Sequence, residues 1–270
     1  MTAFEWIAIV GAAAWLPHLL MLGYRVLVKP TVVVIPIRKL EIGYNFFGPI
    51  LNMRAALLAR RKDAVIVEMA VHLRHEKGRT IRLVWQSFAE TFSEFRTEQG
   101  ERAEFTRDQT ATALKVPTAF PTEKFIRFQD PTFLQANSEL MAEADATLSR
   151  VKEATGPIET FLSSREFDSF LSHFRSNFCW EVGRYNVYLE IKLLDVRKPI
   201  MWSSGFELSE KEVENLRRNV PLIEQRATQI AKDIPEEERV SPIHWATPSL
   251  VHKELVSSKR EAWMADGNSA

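Results

Sequence analysis

Apolar and polar positions along the chain follow two different rhythms. From Trp6 to Val28 the run is almost wholly apolar, IAIVGAAAWLPHLLMLGYRVLV after the tryptophan, with Arg25 its one formally charged residue. At 1.5 Å per residue such a run is long enough to cross a hydrocarbon layer of about 30 Å, so it predicts a transmembrane helix over residues 4–28. Pro17 and His18 fit as a kink and a neutral ring. No Lys or Arg precedes the run, as the basic n-region of a cleaved signal peptide would require. Glu5 lies before it, whereas Arg25, Lys29, Arg38 and Lys39 flank its other end. By the positive-inside rule this predicts a plasma- or inner-membrane, single-pass protein with its soluble domain in the cytoplasm; the opposite sidedness would make that domain periplasmic or extracellular.

Beyond Pro30 the rhythm changes to period two. Thr31 to Ile37 is β-branched, with Pro36 marking an edge or a bend, and Leu51, Met53, Ala55 and Leu57 alternate with their neighbours. Val65, Val67, Met69, Val71 and Leu73 alternate into the turn Glu76-Lys77-Gly78, and Ile81, Leu83 and Trp85 alternate out of it. This is a hairpin pattern. If His75 pairs with Arg79, Leu73 faces Ile81 and Val71 faces Leu83, which puts the apolar residues on one face. Ser87 to Asp108, polar and acidic but carrying Phe88, Phe92, Phe95 and Phe105, reads as a long loop with a helical turn. Strands are expected to resume at 110–116 and 124–129.

Helical spacing then appears as an insertion at about 131–176. Asp130-Pro131 offers an N-cap with proline in the first turn, and Leu140, Ala144, Leu148 and Val151 recur until Gly156-Pro157. Ser163 and Glu166 suggest a capping box for a second helix with Phe167, Phe170, Leu171 and Phe174 on one side. After a last strand around 201–208, Ser209 and Glu212 suggest another. From there Val213, Leu216, Val220, Ile223, Ala227, Ile230 and Ile234 predict an amphipathic helix over 209–234, kinked at Pro221. The remainder, 235–270, is proline-punctuated and polar, and reads as a mobile tail with short docking segments around Trp245 and Trp263.

Between those helices lies the most regular alternation in the chain, Trp180-Glu-Val-Gly183-Arg-Tyr185-Asn-Val187-Tyr-Leu189-Glu-Ile191. A strand that begins Gly-x-Tyr-x-Val after a tryptophan resembles the late strands of immunoglobulin-like and fibronectin type III sandwiches. The resemblance spans a dozen residues and implies only the architecture: a mainly β domain over 31–208, an antiparallel Ig-like β-sandwich with helices inserted. Antibody-type cysteines are missing, and a superfold does not fix a function.

Charge sharpens the picture. The 35 basic and 35 acidic residues cancel, yet Arg25 to Arg82 holds 12 Lys/Arg against 4 Asp/Glu, and Leu83 onward holds 23 against 30. Arg60, Arg61, Lys62 and Arg79 are the candidate membrane-surface residues, facing anionic headgroups of the lipid bilayer. Nucleic acid is excluded as a partner, because the chain is neutral overall and no aromatic platform interleaves the basic residues. The single cysteine, Cys179, precludes an intrachain disulfide. His72 and His75 have a ligand-like spacing but would point to opposite faces of a strand, so no metal site is expected. No HExxH, GxSxG, P-loop or dinucleotide fingerprint occurs, and no cofactor is expected. The functional expectation is therefore a membrane-anchored β-sandwich adaptor or scaffold that binds a protein partner, with Trp245 and Trp263 as partner-binding residues. A membrane-associated hydrolase or ligand sensor, whose residues converge only in the fold, is the alternative.

Overall fold

The computed structural model describes residues 14–24, 27–96, 102–240 and 243–251. A first helix, α1, covers 14–24 and leads through Lys29 and Pro30 into strand β1 (Thr31–Asn45). There follow β2 (Gly48–Arg60), β3 (Ala64–His75), β4 (Thr80–Arg96), β5 (Arg102–Thr110), β6 (Leu114–Val116) and β7 (Thr122–Gln129). Helices α2 (Pro131–Glu153), α3 (Ile158–Leu162) and α4 (Arg165–Ser176) come next, then β8 (Gly183–Leu193), β9 (Ile200–Leu208), α5 (Glu210–Arg217) and α6 (Asn219–Ala231).

All described strands belong to one antiparallel sheet in the order β1-β2-β7-β4-β3-β8-β9, with β5 added to β4 and β6 to β3. The sheet curls into a nearly closed barrel. This overturns the immunoglobulin-like sandwich expected from the sequence, which needs two separate sheets packed face to face. The cause lies in β4. Thr80 to Val84 pair with β3, while Val84 to Ala89 pair with β7 through an irregularity at Trp85/Ser87. One long, bulged strand thus joins what would have been two sheets into a single curved one.

The transmembrane helix is also overturned. Among the described residues no helix is long and apolar enough to cross a membrane. The single-pass membrane architecture is therefore not supported; residues 4–13 and 25–26 of the expected 4–28 span lie outside the described residues. Trp15, Leu16, Leu19, Leu20 and Leu22 of α1 are exposed.

The barrel interior holds the alternating apolar residues. Met69, Val71, Leu73, Leu83, Ile126, Phe128, Val187, Leu189 and Ile191 are buried, and Tyr185 stacks on Phe206 with ring centroids 4.9 Å apart. The β3–β4 hairpin has the expected register, with Leu73 opposite Ile81, Val71 opposite Leu83, and the His75 N–H donating to the Arg79 carbonyl at 2.8 Å.

The helices gather at one end of the barrel. There the Tyr44 hydroxyl donates to the Phe174 carbonyl at 2.8 Å and the Asn137 amide to the Phe46 carbonyl at 3.0 Å. Gly48 turns the chain with φ 76° beneath the Phe133 ring, and any Cβ there would enter that ring. The segment 244–251, within the expected mobile tail, is paired with the sheet. Ile42 and Ala246 exchange backbone hydrogen bonds at 2.8 and 2.9 Å, and Gly205 and Val251 do the same at 3.2 and 2.7 Å. It therefore lies between the two edge strands β1 and β9 and closes the gap. Trp245 rests its ring on Gly43, where a Cβ would come within 2.5 Å of it.

Candidate binding site at the open end of the barrel

The end opposite the helices is built from turns. Strand β2 finishes at Arg60, directly opposite Thr31 at the start of β1. Arg61, Lys62 and Asp63 then turn the chain into β3, with Arg61 in the left-handed region at φ 73°. A non-glycine residue there costs on the order of 1–2 kcal/mol, strain of the kind that collects at functional turns. The Asp63 carboxylate anchors the turn by accepting from the Thr118 N–H at 2.9 Å and the Thr118 hydroxyl at 3.2 Å, with the Lys115 ammonium at 3.5 Å. The Thr118 backbone bond, foremost, and Lys115 hold this carboxyl below the usual carboxylate range. The Leu194 N–H donates to the Val65 carbonyl at 3.0 Å, which brings the β8–β9 turn with exposed Arg197 and Lys198 to the same end.

Arg60, Arg61 and Lys62 form no ion pair among the described residues, so this end carries a cationic rim. Arg79 does not join it. It sits at the far end of β3, whose eleven residue steps at ~3.3 Å place it roughly 36 Å away. There its guanidinium meets the Glu181 carboxylate at 3.2 Å, and Lys77 approaches the same carboxylate at 3.8 Å. The sequence groups four cations; the fold assembles three of them.

Inside the rim lies a cleft of about 460 Å³ between β4, β5, β6 and β7. Phe88, Leu114, Pro117 and Phe120 form its apolar walls, and Gln109, Lys115, Thr122 and Lys124 supply its polar groups. Lys124 alternates inward with Ile126 and Phe128 and is only 7% exposed, while Phe120 is 62% exposed. The Lys124 ammonium stands 5.1 Å from the centroid of the Phe88 ring. Such a cation–π contact contributes about 0.5–2 kcal/mol, more as the pair is desolvated. Beyond Ala89, β4 pairs among the described residues only with β5, so this hairpin extends from the sheet as a two-stranded ribbon.

Other chemistry-bearing residues lie elsewhere. His72 points outward from β3, and its Nε2 lies 3.1 Å from the Glu190 carboxylate on β8. His75 points inward, buried beside Tyr185 with ring centroids 4.7 Å apart. Opposite faces separate the two, as period two requires. Cys179 is buried, and desolvation pushes its thiol up to about 12. No group of three or more His, Cys, Asp or Glu side chains among the described residues is placed to hold a metal ion. Trp245, covering Gly43, keeps 41% of its surface exposed, and Trp263 lies outside the described residues.

Sequence reading missed Lys115, Phe120 and Lys124. Lys124 carries a signal in hindsight, because it falls on the inward phase of a strand whose other inward residues are apolar. Phe120 lies in a connection with no periodicity to place it.

No protein-family model matches this chain, and no curated protein matches it. Among solved structures it is similar to a family 123 glycoside hydrolase from Clostridium perfringens, described in connection with glycolipid glycan hydrolysis. The identity is 9% and the TM-score 0.30, over 67% of this chain and 28% of that one. The chain thus spans little more than a quarter of that protein's length, and a likeness this distant carries no argument about fold or activity.

Proposed function

We propose that this chain is a binding module, an adaptor whose open barrel end receives an acidic segment of a protein partner. The carrying observation is the cationic rim of Arg60, Arg61 and Lys62 beside a concave, apolar-walled cleft flanked by the projecting β4–β5 ribbon. A concave end with a projecting ribbon suits a protruding peptide segment better than a planar surface. The excess of positive charge at the rim favours fast, salt-sensitive encounter with an acidic partner. Holding Arg61 in a strained conformation fixes the turn that presents it.

The hydrolase alternative needs a carboxylate–His or Cys–His pair within a polar pocket. His72–Glu190 is such a pair, yet it stands on the outer sheet face and does not line the cleft at the open end. Cys179, with its thiol near 12, stays protonated at neutral pH.

The test places a photo-crosslinking residue at Arg61 in the full chain, in its native cells, and then measures the captured protein by titration. Reversing Arg60, Arg61 and Lys62 to Glu should weaken binding at least tenfold, and added salt should slow association of the unaltered chain. Arg79→Gln, at the other end, should leave the affinity unchanged. Equal affinity for the unaltered and charge-reversed chains overturns the proposal. So does association with anionic vesicles and with no protein.

A further inference from the structure

Another cavity lies at the opposite end of the molecule, among the helices. It holds about 140 Å³ between α2, α3, α4 and α6, beside Phe46 of the β1–β2 turn. Phe46, Phe161, Phe167 and Phe170 form its aromatic wall. Small residues keep it open. Ala144 on α2 and Ala227 and Ala231 on α6 line it from buried positions, where a larger side chain would fill the space. Interiors pack closely, and atoms that border a void lose the contacts a filled space would give them. An apolar cavity of about 150 Å³ accepts a benzene ring. This one is also open to solvent, because Met141 and Ile230 on its border are 46% and 42% exposed.

Asp145 is the one charged or polar residue that lines the cavity. It is exposed, and among the described residues no hydrogen bond or ion pair engages its carboxylate. An apolar pocket with a single polar group takes an apolar body and fixes its orientation by that group. Here the group is an anion, so the ligand's own polar end is a cation. We propose that this cavity binds a small aromatic amine with a single ring. The ring lies among the four phenylalanines, and an ammonium on a short alkyl arm meets the Asp145 carboxylate. The site stands apart from the adaptor reading, because the cationic rim lies at the other end of the barrel and lines none of it.

The test is saturation-transfer NMR titration of the full chain at neutral pH and low salt. The probe is 2-phenylethylamine, with 2-phenylethanol, phenylacetate and butylamine as controls. The aryl amine should bind at one saturable site. 2-Phenylethanol keeps the ring and loses the charge, and should bind about two- to fivefold more weakly, as expected for an exposed ion pair. Phenylacetate should bind more weakly still. Butylamine, which has no ring to bury, should fall at least tenfold below the aryl amine. Asp145→Asn should lower the aryl amine to the level of 2-phenylethanol and leave 2-phenylethanol unchanged, a split that a merely structural role does not produce. Ala227→Leu fills the cavity and should abolish binding of every aryl probe if circular dichroism shows it folded; Asp145→Asn, at an exposed position, decides the matter if it does not. No saturable binding of the aryl amine, equal binding of amine, alcohol and acid, or amine binding indifferent to Asp145→Asn overturns the proposal.

Discussion

His173 of α4 lies against the Phe133 ring of α2, with centroids 4.3 Å apart. Burial, the larger influence, lowers its pKa below the ordinary 6.5, and the nearby Phe133 backbone opposes that in part. The unfolded chain therefore binds a proton more readily than the folded one. Stability attributable to this ring is complete above about pH 6.5 and falls as pH drops through that value, levelling off below the folded pKa. Urea titrations at pH 7.5 and pH 5.5 should show a smaller loss for His173→Phe than for the unaltered chain. Equal losses would leave His173 without a role in acid sensitivity. At this scale the sequence is informative where period two applies, as for His72 outside and His75 inside the barrel. It is silent on His173, whose environment is set by Phe133, forty residues away.

Elements show where local rules suffice and where they stop. The β3–β4 hairpin follows from alternation and a Gly-containing turn. Asp130 caps α2 by accepting from the Thr132 and Phe133 N–H groups, and Ser209 with Glu212 completes a reciprocal capping box. The expected loop at 87–108 is instead the β4–β5 hairpin, because pairing between neighbouring strands supplies what intrinsic propensity lacks. The break between α5 and α6 comes at Arg218, before the expected kink, which leaves Pro221 in a first turn where its missing N–H is harmless. The α4 cap differs by one residue. Ser164 accepts from the Phe167 N–H at 3.2 Å, whereas the expected cap, Ser163, donates back to the Glu159 carbonyl at 2.8 Å. Ser164→Ala should therefore cost about 1 kcal/mol in chemical denaturation, and Ser163→Ala only a few tenths. The reverse ranking would restore the cap to Ser163.

At the scale of the whole molecule, closure depends on pairings that no window of sequence reveals. The strand after Trp180 looks the same in a sandwich and in a barrel; what distinguishes them is where β4 crosses over and what fills the space between β1 and β9. Half of the candidate site was legible, as the Arg60–Lys62 cluster. The cleft was not, because β4 to β7 assemble it from residues widely separated in sequence. The closing strap at 244–251 was read as mobile because its own composition is polar and proline-rich. Its order comes from partners instead. Ile42, Arg38, Leu40 and Gly205 share backbone hydrogen bonds with it, and buried Asn219 both donates to the His244 carbonyl and accepts its N–H, each at 2.8 Å. A chain ending after residue 243 would leave the Asn219 amide buried and unsatisfied, which alone costs about 1–3 kcal/mol. It would also expose the facing edges of β1 and β9, and open edges of this kind invite pairing between molecules. The expected loss is about 3–6 kcal/mol, a large share of the ~5–15 kcal/mol typical of a folded domain, with a rise in dimers or larger species on size exclusion. A chain ending after Val251 keeps every one of these contacts and should unfold at a higher denaturant concentration than the shorter one. If the two truncations unfold at the same denaturant concentration, the strap is not what closes the barrel, and the β1 and β9 edges must be held by their own packing.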